Sequence, residues 1–66
     1  MAIAEIDLIN ERQLSELLGI AIQTARNWRS TGRGPAYVKL GGRSVRYRVV
    51  DVQDFIESGL VKPDGE

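Results

Sequence analysis

Arg26 and Asn27 stand side by side in a stretch that also holds Gln23, Thr24 and Arg29. An arginine fork fits the O6 and N7 of guanine, and a carboxamide fits the N6 and N7 of adenine, so these residue types match base edges. Downstream, Lys39, Arg43 and Arg46 add cations that suit phosphate oxygens. What is missing narrows the remaining chemistry. The chain has no Cys and no His, which excludes thiolate and imidazole metal ligation, disulfide staples, and Cys–His or Ser–His nucleophilic catalysis. Asp51, Asp54 and Glu57 recur at three-residue steps. With no partner from another element they read as a solvated face matched to a helix dipole, not as an acid–base pair or a hard-metal site. The expectation is a binding protein without metal or cofactor, and not an enzyme.

Nine basic and nine acidic residues give a formal net charge of zero, which taken alone argues against a polyanionic partner. Their distribution along the chain argues the opposite. Residues 1–21 hold Arg12 against Glu5, Asp7, Glu11 and Glu16, a balance of −3. Residues 22–50 hold Arg26, Arg29, Arg33, Lys39, Arg43, Arg46 and Arg48 with no acid, a balance of +7. Residues 51–66 hold Lys62 against Asp51, Asp54, Glu57, Asp64 and Glu66, a balance of −4. One face of a neutral molecule can then carry a strong positive potential. The alternative is a merely solvated basic surface; six of the seven central cations being Arg favours phosphate and guanine contacts. No apolar run is long enough for a membrane span or a signal peptide, so a soluble cytoplasmic module is expected.

The elements that must position these residues fit one small domain. A chain of 66 residues buries only about 60% of its unfolded surface, so its core is thin. Residues 1–7 are expected to be a loosely tied terminus, 8–59 the domain, and 60–66 a tail. Asn10 followed by Gln13 forms a capping box, with Ile9 and Leu14 placed as a hydrophobic staple. Leu14, Leu17 and Leu18 then form a stripe on a helix over residues 11–18, ended by Gly19. A second helix is expected over residues 21–31, with Ile22, Ala25 and Trp28 at three-residue steps and Gly32 at its end. Gly34-Pro35 forces an extended course. A hairpin follows, and a Gly41-Gly42-Arg43-Ser44 loop would set Leu40 opposite Val45 and Val38 opposite Tyr47. That register leaves one apolar face and puts Lys39, Arg46 and Arg48 on the other. A third helix over residues 50–58 turns Val52, Phe55 and Ile56 to one side, and Gly59 caps it.

Two short helices joined by a tight glycine-containing turn are helix-turn-helix geometry, whose second helix enters the major groove. Ser15 is the small residue where the helices cross, and Leu14, Leu18, Ile20, Ala25 and Trp28 fall at buried positions. Ile22, Gln23, Arg26, Asn27 and Ser30 lie largely outward. The basic hairpin supplies a wing, so the expected fold is α+β: a small winged helix-turn-helix with a two-stranded wing and a C-terminal helix. Trp28 and Tyr47 read as core, and Tyr37 as either core or contact residue. Gly41-Gly42 reads as a turn, since neither a following Lys-Ser/Thr nor a helix makes it a phosphate cradle. Arg46 and Arg48 could instead pair internally with helix acids.

The segment LINERQLSELLGIAIQTARNWRSTGRGPAYVKLGGRSVRYRVVDVQDFI resembles the excisionase-type branch of the MerR-like winged helix-turn-helix domains, which includes small phage excisionases and AlpA-like regulators. The resemblance covers about residues 8–57. It rests chiefly on ELLGI, Trp28, GRGPAYVKLGG, VRY and the segment from Asp51 to Ile56, in the family's order and spacing. It implies a recognition helix in the major groove of double-stranded DNA, with Gln23, Thr24, Arg26, Asn27 and Arg29 as its reading residues. Arg43, Ser44 and Arg46 would work in the wing, with Lys39 beside them. It also implies DNA bending by several copies, and an integrase, a tyrosine or serine recombinase, as partner. One departure is Ala21, where the family commonly has Ser; Ala caps a helix about 1 kcal/mol less well. The rival expectations are an AlpA-like transcriptional regulator and, from another class, a protein-interaction module whose basic face docks an acidic partner. No heptads for a dimerising coiled coil are present, so a free monomer that self-associates head-to-tail on tandem DNA sites is expected. There the acidic third helix of one copy would meet the basic wing of the next.

Overall fold

A computed structural model describes residues 7–63. The terminus expected to be loose at 1–6 and the tail residues 64–66 lie outside the described residues. The order is β1 (Leu8–Ile9), α1 (Glu11–Leu18), α2 (Ile22–Thr31), β2 (Val38–Leu40), β3 (Ser44–Arg48) and α3 (Val49–Ser58). This is the α+β winged helix-turn-helix architecture expected from the sequence, with one strand more.

Local chemistry sets α1. The Gln13 amide donates to Asn10 Oδ1 at 2.8 Å, and the Asn10 amide donates to Gln13 Oε1 at 2.9 Å, so the capping box is complete. Gly19 closes the helix, and the Ile20 amide donates back to the Ser15 carbonyl at 2.9 Å. Ser15 is buried where the two helices meet, and its hydroxyl donates to the Arg12 carbonyl at 2.8 Å. Leu17, expected in the apolar stripe, is instead 60% exposed. On the helix wheel Leu18 and Ser15 fall to one side of Leu14 and Leu17 to the other, so the small serine takes the inner place. The second helix starts at Ile22, one residue later than expected. Ala21 is extended (φ −74°, ψ 150°) and its methyl offers no capping bond; its carbonyl still accepts from the Thr24 amide at 3.0 Å.

The sheet corrects the expected register. Val38 pairs with Arg46, Lys39 with Val45 and Leu40 with Ser44, one residue away from the Leu40–Val45 and Val38–Tyr47 pairing. The cause is the turn. Gly41 and Gly42 both take positive φ (62° and 79°), and the Arg43 amide donates to the Leu40 carbonyl at 3.2 Å. The loop therefore spans three residues instead of four, and a one-residue slip exchanges the faces. Lys39 now shares a face with Val45, while Val38 and Leu40 lie with Arg46 and Ser44; no wholly apolar face exists. Tyr37 and Tyr47 meet on the first of these faces, with ring centroids 6.1 Å apart.

A third strand makes β3 central, in the order β1-β3-β2. Leu8 pairs with Arg48 and Ile9 with Tyr47, and the Val49 amide donates to the Asp7 carbonyl at 3.0 Å. That bond carries the chain straight into α3, which starts at Val49 and not at Val50. The core gathers Leu14, Ala25, Tyr47 and Val52, with Ile9, Leu18, Ile20 and Val45 packed around it. Of the third helix's expected inner side, Val52 is buried and Phe55 packs on Trp28 at 5.3 Å between ring centroids. Ile56 is not inside; it is 48% exposed. No helix of the described residues is long and apolar enough to cross a membrane.

Gly34 joins the helices to the wing under a double constraint. Its φ is +83°, and a Cβ there would stand 2.7 Å from Trp28 Cε3. A Cβ at Gly42 meets only open space. Gly34→Ala is therefore expected to cost about 2–4 kcal/mol in urea unfolding, against about 1 kcal/mol for Gly42→Ala. Equal losses would contradict the packing of Trp28 against this glycine.

Candidate nucleic-acid interface

The second helix turns Gln23, Arg26 and Asn27 to solvent. Gln23 Nε2 donates to Asn27 Oδ1 at 3.1 Å, a pair one turn apart that holds the Asn27 carboxamide in place. The Asn27 carbonyl accepts from the hydroxyls of Ser30 (3.0 Å) and Thr31 (2.8 Å). Thr24 sits half-buried beside this face.

Arg26 is tied to the first helix. Its Nε donates to both oxygens of Glu11 (3.3 and 3.1 Å), and its Nη2 lies 2.6 Å from Oε2. Half of the Arg26 side chain remains exposed, while that of Glu11 is mostly covered. Glu11 also accepts from Arg29 Nη2 at 3.3 Å. The other terminal nitrogen of Arg29 donates to the Tyr47 hydroxyl at 2.9 Å, and its guanidinium carbon lies 5.9 Å from the centre of the Tyr37 ring. Arg29, expected to read bases, is thus mostly covered and engaged within the protein. Tyr37 has its packing role against Arg29 and Tyr47 and keeps 40% of its surface exposed.

In the wing, Lys39, Arg43 and Ser44 are exposed, Arg43 beside the two turn glycines. Arg46 is half-buried and donates from Nη1 to the Val45 carbonyl at 2.8 Å. Arg48 does pair with the third helix: its Nε and Nη2 reach the Asp51 carboxylate at 2.7 and 3.0 Å. Among the described residues no carboxylate pairs with Arg33, Lys39, Arg43 or Arg46. Asp54 and Glu57 stay exposed on α3. The structure therefore brings Gln23, Arg26 and Asn27 onto one exposed face, leaves Thr24 and Arg29 off it, and places the wing cations on a hairpin that Arg29 and Tyr47 tie to that helix.

In the sequence Glu11 is one acid among four in residues 1–21. Its partner lies fifteen residues away, beyond any helical spacing; its place in the first turn of α1, where acids are favoured, carried no hint of Arg26.

A family model for the helix-turn-helix domain matches residues 9–59, and the chain belongs to that family. Such a domain points to DNA as its partner. No curated protein and no solved structure matches the chain.

Two expectations follow from the buried end of this network. Tyr47→Phe leaves a partly buried Arg29 donor without its acceptor and is expected to cost about 1–3 kcal/mol in thermal or urea unfolding; a neutral result would show that Arg29 rests on Glu11 alone. The Arg26 hydrogen bonds, opposed by burial, hold the Glu11 carboxyl below the ordinary glutamate range. A group depressed on folding stabilises the fold above its unfolded value and loses that contribution in acid. The Glu11 part of stability is then complete above about pH 5 and erodes below about pH 4.3. It is gone once the pH has fallen through the lower folded-state value. In Glu11→Gln this part of the acid limb should vanish from melting curves taken between about pH 6 and pH 2.5; an unchanged limb would assign acid sensitivity to other carboxylates.

Proposed function

We propose that this protein is a sequence-specific, architectural DNA-binding protein of excisionase type, working in the bacterial cytoplasm on phage or mobile-element DNA. The observation that carries the DNA reading is that Gln23, Arg26 and Asn27 stand exposed on a helix that Arg29 ties to a hairpin bearing exposed Lys39, Arg43 and Ser44. In this reading α2 enters the major groove, with Gln23, Arg26 and Asn27 at base edges and Thr24 beside them. Arg29 holds that face from behind. Arg43, at the wing tip, enters the neighbouring minor groove or meets phosphates, with Lys39, Ser44 and Arg46 alongside. The excisionase role rests on the resemblance over residues 8–57. Bound copies bend the DNA and present it to an integrase, a tyrosine or serine recombinase, without breaking bonds themselves.

Cooperativity follows from size and charge. One module of this kind buries about 600–1,000 Å² on DNA, too little for high specificity alone. Exposed Asp54 and Glu57 on α3 and the exposed cations of the wing offer complementary surfaces for head-to-tail neighbours, a contact that repeats without closing.

The test begins with binding sites selected from a random duplex pool. Affinity and bend angle are then measured on one, two and three tandem copies at several salt concentrations. Affinity should fall steeply with salt, neighbouring sites should fill cooperatively, and the bend should grow with each copy. Arg43→Ala should lower the salt slope by about one contact and leave stability within about 0.5 kcal/mol. Independent filling without bending would point to a simple regulator. Binding that is absent or indifferent to salt would point to the protein-interaction module.

A further inference from the structure

The pairing of Glu11 with Arg26 leaves a particular part of the guanidinium open. An arginine has five N–H donors. Glu11 takes the edge made by Nε and Nη2, at 3.1 and 2.6 Å from Oε2. The end-on edge, one Nη1 hydrogen and the second Nη2 hydrogen, is left over, and it is a pair of prongs that fits O6 and N7 of a guanine. A long, flexible side chain that would otherwise sample many rotamers is thus tied at one edge while half of it stays exposed to solvent. Glu11 is itself held. Arg29 donates to its Oε1 at 3.3 Å and is anchored by the hydroxyl of Tyr47, whose ring is 1% exposed. A continuous chain of polar contacts runs from the core to the surface: Tyr47, Arg29, Glu11, Arg26.

We infer that Glu11 is a positioning residue that aims Arg26 at a guanine and thereby sets sequence preference, although it touches no base itself. This rests on the DNA-binding reading above. It separates two effects that a carboxylate beside DNA would have. As a charge Glu11 repels phosphates, so on random duplex its removal should leave binding unchanged or tighter. As a support it sharpens one contact, so on the preferred sequence its removal should weaken binding.

The experiment measures wild type, Glu11→Gln, Arg26→Ala and the double variant against two probes. These are a duplex selected by the wild type from a random pool and an unselected duplex of equal length. Glu11→Gln should weaken binding to the selected duplex about tenfold and leave the unselected duplex unchanged or tighter. In the Arg26→Ala background the same substitution should change the selected duplex by less than about twofold, since the supported contact is already gone. Glu11→Asp, which keeps the charge and shortens the reach by one methylene, should lose discrimination as Glu11→Gln does; it replaces that variant if glutamine prevents folding. Tighter or unchanged binding of Glu11→Gln to the selected duplex would overturn the inference, as would an equal loss in the Arg26→Ala background. If the wild type enriches no sequence and binds no duplex, the DNA reading fails first and the inference with it.

Discussion

The hydroxyl of Tyr47 is the point on which the arrangement turns. Its ring is the largest fully buried side chain, packed with Leu14, Ala25 and Val52, yet the ring carries a polar atom that cannot be left unpaired at low cost. The donor that satisfies it comes from Arg29 on α2, at 2.9 Å. Because Tyr47 lies on the central strand of the sheet, this bond adds a polar tie between wing and second helix to the packing of Ala25 and Tyr47 in one core. The same guanidinium then reaches Glu11, and Glu11 reaches Arg26. A core contact is thereby linked through Arg29 and Glu11 to Arg26 on the outer face of α2.

A domain this small has few ways to hold a surface rigid. It has no disulfide and no metal site of Cys or His, and a single core of this size supplies about 3–5 kcal/mol. Exposed ion pairs add little to that, so their worth here lies in geometry. Arg48 with Asp51 fixes the junction of β3 and α3. Glu11 with Arg26 and Arg29 fixes the face of α2. The acids engaged in these pairs come from the segments on either side of the basic stretch. The neutral chain thus keeps its wing cations unengaged by carboxylates among the described residues and leaves Asp54 and Glu57 exposed on α3.

What the sequence made legible was local. Asn10 and Gln13 announced a capping box because both partners lie within one turn. Ser15 and Gly19 marked the crossing of the helices, since only a small residue fits there and the chain must reverse. Leu17 was misplaced because a leucine and a serine competed for the inner face and size, not hydrophobicity, decided. The hairpin existed where expected, but its register hung on whether two glycines closed a three- or a four-residue loop, and composition does not distinguish these. The strand at Leu8–Ile9 was too short to show any alternation. In the candidate site, the helix face carrying Gln23, Arg26 and Asn27 followed from helical period. The engagement of Arg29 and the role of Glu11 did not, because both depend on partners fifteen and eighteen residues apart that only the folded chain brings together.

Held by this network, α2 and the wing tip form one DNA-binding face in the proposed reading, while α3 looks away. Amide and arginine side-chain NMR shifts of the labelled protein, followed through titration with a short duplex that carries a single selected site and holds one copy, test this most directly. The largest changes should fall on Gln23, Thr24, Arg26 and Asn27 and on Arg43 and Ser44, with Asp54 and Glu57 unmoved. Changes concentrated on α3, with the signals of α2 left in place, would contradict it.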